Sequence, residues 1–329
     1  MLRQRQLPAF NGIPASLASG ARTTVTCKLD LGTRVHAIHL EFGSDGATTN
    51  PGEGLGTLAL PGMIDEIRLL VDGKVQRRMT AVELNALNLL MSVAGTTEFA
   101  AQTSGTANAA GFRTRLSIFL AEVWRKGAVI ISNQNVLEST LSAWNLVGIK
   151  SCSIEVDLIG RKSTGVNGIV EAPVIEGCFE YDAPIRSDLG TIVKWLRPNL
   201  GITSEVRDLP VRSGSYQSIH LFPTTDPKYI TSLKLTLDGE EIRQDVKRFQ
   251  NDLILRQRGM NPTALDTTSA ATKTNTGLYN LVFDYDDPIN SNLIVENARE
   301  LTLKPTYDNP TIAAAYGLIS ILQITGRAE

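Results

Sequence analysis

Histidine and cysteine are scarce in this chain: three of each in 329 residues. Cys27, Cys152 and Cys178 are odd in number and far apart, with no CxxC pair. A disulfide framework and a zinc ribbon are therefore both disfavoured, and the plain expectation is small buried thiols in a reducing compartment. Aromatic residues make up only 6%, too few to line the stacking platforms on which sandwich proteins bind sugars. A net charge of −2 gives no field able to hold nucleic acid over a whole face. No GxSxG elbow and no HExxH helix occurs. The longest apolar stretch, Ile312–Ile324, is interrupted by Gly317, Ser320 and Gln323 and is too short to span a bilayer. No apolar segment follows the charged start MLRQRQLPAFNG, so a secretory leader is not expected.

What the chain has instead is a repeat. IDEIRLLVDG (Ile64–Gly73) returns as ITSLKLTLDG (Ile230–Gly239), 166 positions later, and AIHL (Ala37–Leu40) returns as SIHL (Ser218–Leu221). Internal duplication of this kind fixes the architecture before any single motif does. Alternation of Ile67, Leu69 and Val71 with polar neighbours, and of Leu233, Leu235 and Leu237 likewise, predicts half-buried strands. Each run ends in Asp-Gly, Asp72-Gly73 and Asp238-Gly239, the chemistry of a tight hairpin turn with a short return strand.

One helix follows in each half. Over Thr80–Val93, Leu84, Leu87 and Met91 recur at helical spacing, with Thr80 as N-cap and Glu83 at the capping-box position. Over Asp245–Arg258, Val246, Phe249 and Leu253 predict the second apolar row. Ser/Thr/Ala-rich segments, Gly95–Ala110 and Asn261–Thr276, read as long exposed loops. The first half is larger, chiefly through Gly43–Met63. Short strands with turn signals predict an all-β protein: two tandem eight-stranded jelly rolls, each with a short helix. Residues 1–182 would be the first roll with an N-terminal arm, 183–200 a connector and 201–329 the second roll.

Chemistry-bearing candidates are few. GEGLG (Gly52–Gly56) leads into a strand, not a helix, and so reads as a surface loop rather than a phosphate cradle. His39 and His220 hold matching places in the repeat and read as packed or surface imidazoles rather than metal ligands. Asp284, Asp286 and Asp287 offer hard oxygen ligands for calcium but lack the spacing of an EF-hand loop. No catalytic residue, metal site or cofactor is assigned. In the arm, Arg3 and Arg5 with Leu7 and Phe10 suggest a segment that docks on a neighbouring subunit or on anionic lipid, against the alternative of a frayed terminus.

The arm LRQRQLPAFNG, the run MIDEIRLLVDGKVQRRMTAVELNALNLLM and the junction YDAPIRSDLG followed by IVKW resemble the major capsid proteins of tailless, icosahedral, membrane-containing bacteriophages of the autolykivirus and corticovirus type. That resemblance implies a non-enzymatic, self-assembling coat protein. It would form homotrimers of pseudo-hexagonal outline tiling a shell over an internal lipid membrane, made and assembled in a host cytoplasm and resident in the virion. The partners it implies are the chain itself, vertex and minor capsid proteins and the lipid beneath, with no specific nucleic acid. A minor phage structural or spike protein, or a carbohydrate-binding tandem sandwich, remains the alternative.

Overall fold

A computed structural model describes residues 2–18, 20–44, 64–91, 93, 102–103, 112–125, 127–131, 134–160, 162–163, 166–167, 170–184, 192–197, 199–202, 207–209, 215–223, 230–262, 279–283, 293–295, 298–307 and 314–323. The chain divides into two compact units. One comprises Met1–Asn88 and Val93–Ile192, the other Val193–Ile324 with Leu89–Ser92.

In the first unit the main strands are β1 (Arg3–Gln6), β2 (Arg22–Lys28), β3 (Arg34–Ser44), β4 (Ile64–Val71), β5 (Lys74–Met79), β6 (Phe112–Phe119), β7 (Cys152–Ile159) and β8 (Pro173–Asp182). They form two sheets, ordered β1-β8-β3-β6 and β2-β7-β4-β5, with antiparallel pairing throughout. Two short strands extend the first sheet, Gln102–Thr103 beside β6 and Trp144–Asn145 beside β3. Period-two alternation does what it predicts. Ile67, Leu69 and Val71 on β4, and Ile154, Val156 and Leu158 on β7, are at most 1% exposed, while Arg68, Glu155 and Asp157 on the other face are half-buried. There Arg68 bonds Glu66, Glu155 and Asp157, so one guanidinium ties together the carboxylates of the polar face.

The second unit repeats the plan. Its main strands are β9 (Ile192–Leu196), β10 (Arg207–Asp208), β11 (Ser215–Pro223), β12 (Ile230–Leu237), β13 (Glu240–Lys247), β14 (Tyr279–Val282), β15 (Leu301–Tyr307) and β16 (Ala314–Gln323). The sheets run β9-β16-β11-β14 and β10-β15-β12-β13, which is the first unit's order with eight added to every label. Asn199–Ile202 pairs with β16 and Leu293–Ile294 with β11. Its core joins Tyr216, Ile219 and Leu221 of β11 to Leu233 and Leu235 of β12, Tyr279 and Leu281 of β14, and Leu301 and Leu303 of β15.

This order corrects the sequence reading in two places. Ile192–Leu196 falls inside the expected connector, yet it is a strand of the second unit's sheet, in the position that β1 holds in the first. The arm is likewise a strand and not a free tail. Arg3–Gln6 pairs with Tyr181–Cys178 of β8, and Leu7 and Phe10 are each only 6% exposed.

Helix α1 spans Ala81–Leu90 and has the expected capping box: the Thr80 amide donates to Glu83 Oε2 at 2.8 Å and the Glu83 amide to Thr80 Oγ1 at 3.2 Å. Helix α2 begins later than its sequence suggests, at Arg248, because β13 continues to Lys247; it ends at Gln257. Its expected apolar row is wrong as well. Asn251 and Leu255 are the buried residues, while Phe249 and Leu253 are 68% and 57% exposed.

The reason lies at the sheet edges. β14, and β6 beyond its short pairing with Gln102–Thr103, present carbonyls that would otherwise lack partners, and an open edge is costly when buried and hazardous when exposed. Asn88 of α1 donates from Nδ2 to the Ser117 carbonyl of β6 at 3.1 Å; Asn251 of α2 does the same for Asn280 of β14 at 2.6 Å. In each helix one buried asparagine is an edge seal. The two asparagines lie 163 positions apart and not 166, so the helices have slipped relative to the hairpins, and the sequence repeat pairs Asn251 with Asn85 instead. Other outer strands carry charge: RQRQ in β1, KVQRRM in β5 and EEIRQDVK in β13.

Candidate functional site

The hairpin residues singled out by the repeat do more than turn the chain. Asp72 and Gly73 have φ of 51° and 77°, and Asp238 and Gly239 have 48° and 85°, the pair of positive angles a type I′ turn requires. Asp72 Oδ1 also accepts the amides of Lys150 (2.6 Å) and Ser151 (2.9 Å), just ahead of β7. Asp238 Oδ1 accepts those of Arg299 (2.8 Å) and Glu300 (2.9 Å), just ahead of β15. Each aspartate amide returns a bond, to Ser151 O at 2.9 Å and Glu300 O at 3.0 Å. One side chain thus binds a hairpin to the entry of a third strand, twice in the chain. Asp72→Ala should lower the stability of the first unit by about 2 kcal/mol, since two amides lose a charged acceptor. Asp72→Asn should lose well under half of that, because asparagine keeps an Oδ1 acceptor and tolerates the left-handed backbone. Urea titration of both variants checks this; equal losses would show that the side-chain ties contribute nothing.

The matched histidines also repeat a device. His39 Nδ1 lies 2.8 Å from Ser117 Oγ, and His220 Nδ1 lies 2.8 Å from Asn280 Oδ1, so each imidazole leans on the strand whose carbonyl its helix seals. His220 is 1% exposed, and burial pushes its imidazole down to about 4 against the pull of the Asn280 bond. His36 is held at 3.1 Å from Asp182, itself gripped by the Arg34 guanidinium; burial lowers the His36 pKa despite that carboxylate.

On the first unit's sheet, Gln6, Cys178, His39 and Ser117 stand side by side on β1, β8, β3 and β6 and line a groove of about 410 Å³. Burial and then Glu180 raise the Cys178 thiol, which stays protonated at neutral pH and is a poor nucleophile. The other two thiols are packed in the core and pushed up to about 11 (Cys27) and about 12 (Cys152), chiefly by burial. Among the described residues no group of three or more His, Cys, Asp or Glu is placed to hold a metal. Asp284, Asp286 and Asp287 lie outside the described residues, as does Gly52–Gly56. No helix among the described residues is long and apolar enough to cross a membrane.

Of the arm, Arg5 is pinned by Asp30 at 2.7 Å and stacks over the Tyr181 ring at 5.2 Å. Leu7 and Phe10 are core residues of their own unit, which removes them as contacts to lipid or to another chain. Leu2, half exposed, and Arg3 remain outward. A residue that sequence reasoning missed is Arg77, which has an arginine, Arg243, at the same 166-residue offset. Although 2% exposed, it donates to the Phe119 carbonyl at 2.6 Å and lies 5.7 Å from the Trp144 ring. Burial pushes its guanidinium down to about 9, with Glu122 acting the other way. It is a second seal on the β6 edge, next to that of Asn88. A charged residue between Gln76 and Arg78 gives no sequence signal of burial.

The sequence matches no family model and no curated protein. Solved structures do match, end to end. The major capsid protein P2 of bacteriophage PM2 aligns over 99% of both chains with a TM-score of 0.67 at 17% identity. The chain is a double jelly roll. The major capsid protein of Sulfolobus turreted icosahedral virus aligns over 99% of this chain and 98% of its own (TM-score 0.59, 12% identity), and that of Faustovirus over 98% and 90% (TM-score 0.59, 8% identity). At these identities what is shared is the fold, and the two sheet orders derived above are its content. The Asp-Gly ties, the asparagine seals and the histidine contacts are the residues with which this double jelly roll holds each copy of that fold together.

Proposed function

We propose that this double jelly roll is a viral major capsid protein, which assembles as homotrimers and tiles an icosahedral shell over an internal lipid membrane. The observation that carries the reading is the chain-long likeness to major capsid proteins, over 98% or more of each chain. Physical reasoning supports it. Two sandwiches of one plan in a chain, repeated around a threefold axis, present six similar sides, so near-hexagonal packing follows from duplication and symmetry together.

Trimer–trimer contacts and contacts to vertex and minor capsid proteins would use the side-chain surfaces, since the β6 and β14 edges are sealed and β1, β5 and β13 are charged. Leu2 and Arg3 are the arm residues available to a neighbouring subunit or to anionic lipid, where one basic side chain adds about 1 kcal/mol. We place the protein in the virion, after synthesis in a host cytoplasm. Light scattering of the purified 35.7 kDa chain should give three times that mass, and negative stain should show hexagon-outlined particles. A protein that stays monomeric at every concentration and salt tested would overturn the reading.

A further inference from the structure

The two helices seal equivalent edges, yet one is enclosed and the other is bare. In α1, Ala81, Leu84, Ala86, Leu87 and Leu90 are all at most 7% exposed. In α2, Phe249 and Leu253 stand one turn apart at 68% and 57% exposure, and Phe249 is the most exposed large apolar side chain among the described residues. Leu253 is identical to Leu87 at the repeat offset, so the same residue at the same offset is core in one half and surface in the other. Adjacent large apolar side chains on a charged helix are a contact feature, whereas single ones scattered over a surface mean nothing.

Charge around the stripe narrows the occupant. Its exposed neighbours are Lys247, Arg256 and Arg258 with Gln250 and Gln257, against one exposed acid, Asp245, ahead of the helix; the helix's own acid, Asp252, is half-buried and ion-paired to Arg248 at 3.7 Å, so the rim is net cationic. A cationic rim repels its own image, which argues against a twofold contact of α2 with α2. The chain as a whole carries −2, so the negative surface that would complement the rim lies elsewhere on the same molecule. A second copy brings that surface in a head-to-tail arrangement, the kind that closes into a ring. The stripe is also too small to hold two chains alone, since a stable interface buries about 800 Å² per partner. It has to be part of a wider contact, as a ring of large subunits supplies.

We infer that the Phe249–Leu253 face of α2 is a head-to-tail subunit contact, seated on a different, net acidic surface of a second copy of this chain. This rests on the reading that the protein self-assembles, and it adds which residues do so and with what polarity. The variants Phe249→Ser/Leu253→Ser and Arg256→Glu, made in the full chain, are compared with the wild type by sedimentation over a concentration series.

Both side chains are already in water, so the double variant should fold with an unchanged melting transition. Its association should weaken by about a hundredfold or more, as truncation of a buried apolar anchor does. Arg256→Glu should weaken association most at low salt. A double variant that associates as tightly as the wild type overturns the inference and leaves the capsid reading standing. A wild type that never associates overturns that reading first. Flotation of the wild type, but not of the double variant, with vesicles of anionic phospholipid would assign the stripe to lipid and likewise overturn the second-copy contact.

Discussion

Gly177→Ala should cost the first jelly roll about 3 kcal/mol or more, enough to leave much of it unfolded at physiological temperature. Gly177 sits in β8, between β1 and β3, directly across from Leu40. A Cβ there would fall 2.2 Å from the His39 carbonyl oxygen and 3.1 Å from methyl carbons of both Leu40 and Leu7. The first of these is backbone in the middle of a sheet and has nowhere to go. Moving it would break the β8–β3 register and the bond from the Leu7 amide to the Gly177 carbonyl (2.8 Å) that brings the buried end of the arm in. Gly20→Ala is the control: a Cβ there meets nothing within 4 Å, and only its positive φ of 75° is penalised, by about 1 kcal/mol. Denaturant unfolding of the two variants against the wild type decides the matter. A Gly177→Ala protein as stable as the Gly20→Ala protein would mean that the close approach is not real. The second roll keeps the pairing, with Gly317 across from Leu221 as Gly177 is across from Leu40.

The second large effect is acid lability of the second roll. His220 titrates near 4 when folded against 6.5 when unfolded. Between those values the unfolded chain binds a proton that the folded chain refuses, so stability falls as pH falls. The contribution is whole above pH 6.5 and declines down to about pH 4, by about 3 kcal/mol in all for a shift of this size. His36, lowered by burial in the first roll, works in the same direction. Asp182 has its pKa held below the usual carboxylate value by Arg34 and His36, against desolvation; its contribution is lost only at still lower pH and so does not blur the window. Melting curves from pH 7 to pH 4.5 should show one transition moving down steadily, and His220→Gln should flatten its slope. A wild-type transition that holds still over that range would refute the burial argument for this imidazole.

The sequence made the frame of this fold legible where the physics is local. Period-two alternation placed β4 and β12, Asp-Gly placed both hairpins, and Thr80 with Glu83 placed the start of α1, because each depends on a few neighbouring residues. It failed where a distant strand decides. Asn251 turns inward, and Phe249 outward, because the Asn280 carbonyl needs a donor, and no helical period encodes that need. β9 looked like connector because its partner, β16, lies more than a hundred residues away. The arm looked free because RQRQ is polar on both faces, as an edge strand can be. Of His39 and His220, the first is partly exposed and the second buried, and their partners Ser117 and Asn280 were invisible in the sequence: they stand beside the histidines only after the sheets form.

The asparagine seals have a consequence for how copies of this chain meet when crowded together. A sheet with a bare edge grows by annexing strands, a process that has no natural stopping point and is slow to reverse. With Asn88, Asn251 and Arg77 occupying the carbonyls at which such growth would start, encounters between copies are left to side chains. Contacts of that kind are weak one at a time, and they let go. A misplaced neighbour can leave and return in a better orientation, so errors made early in a large assembly are corrected and not locked in.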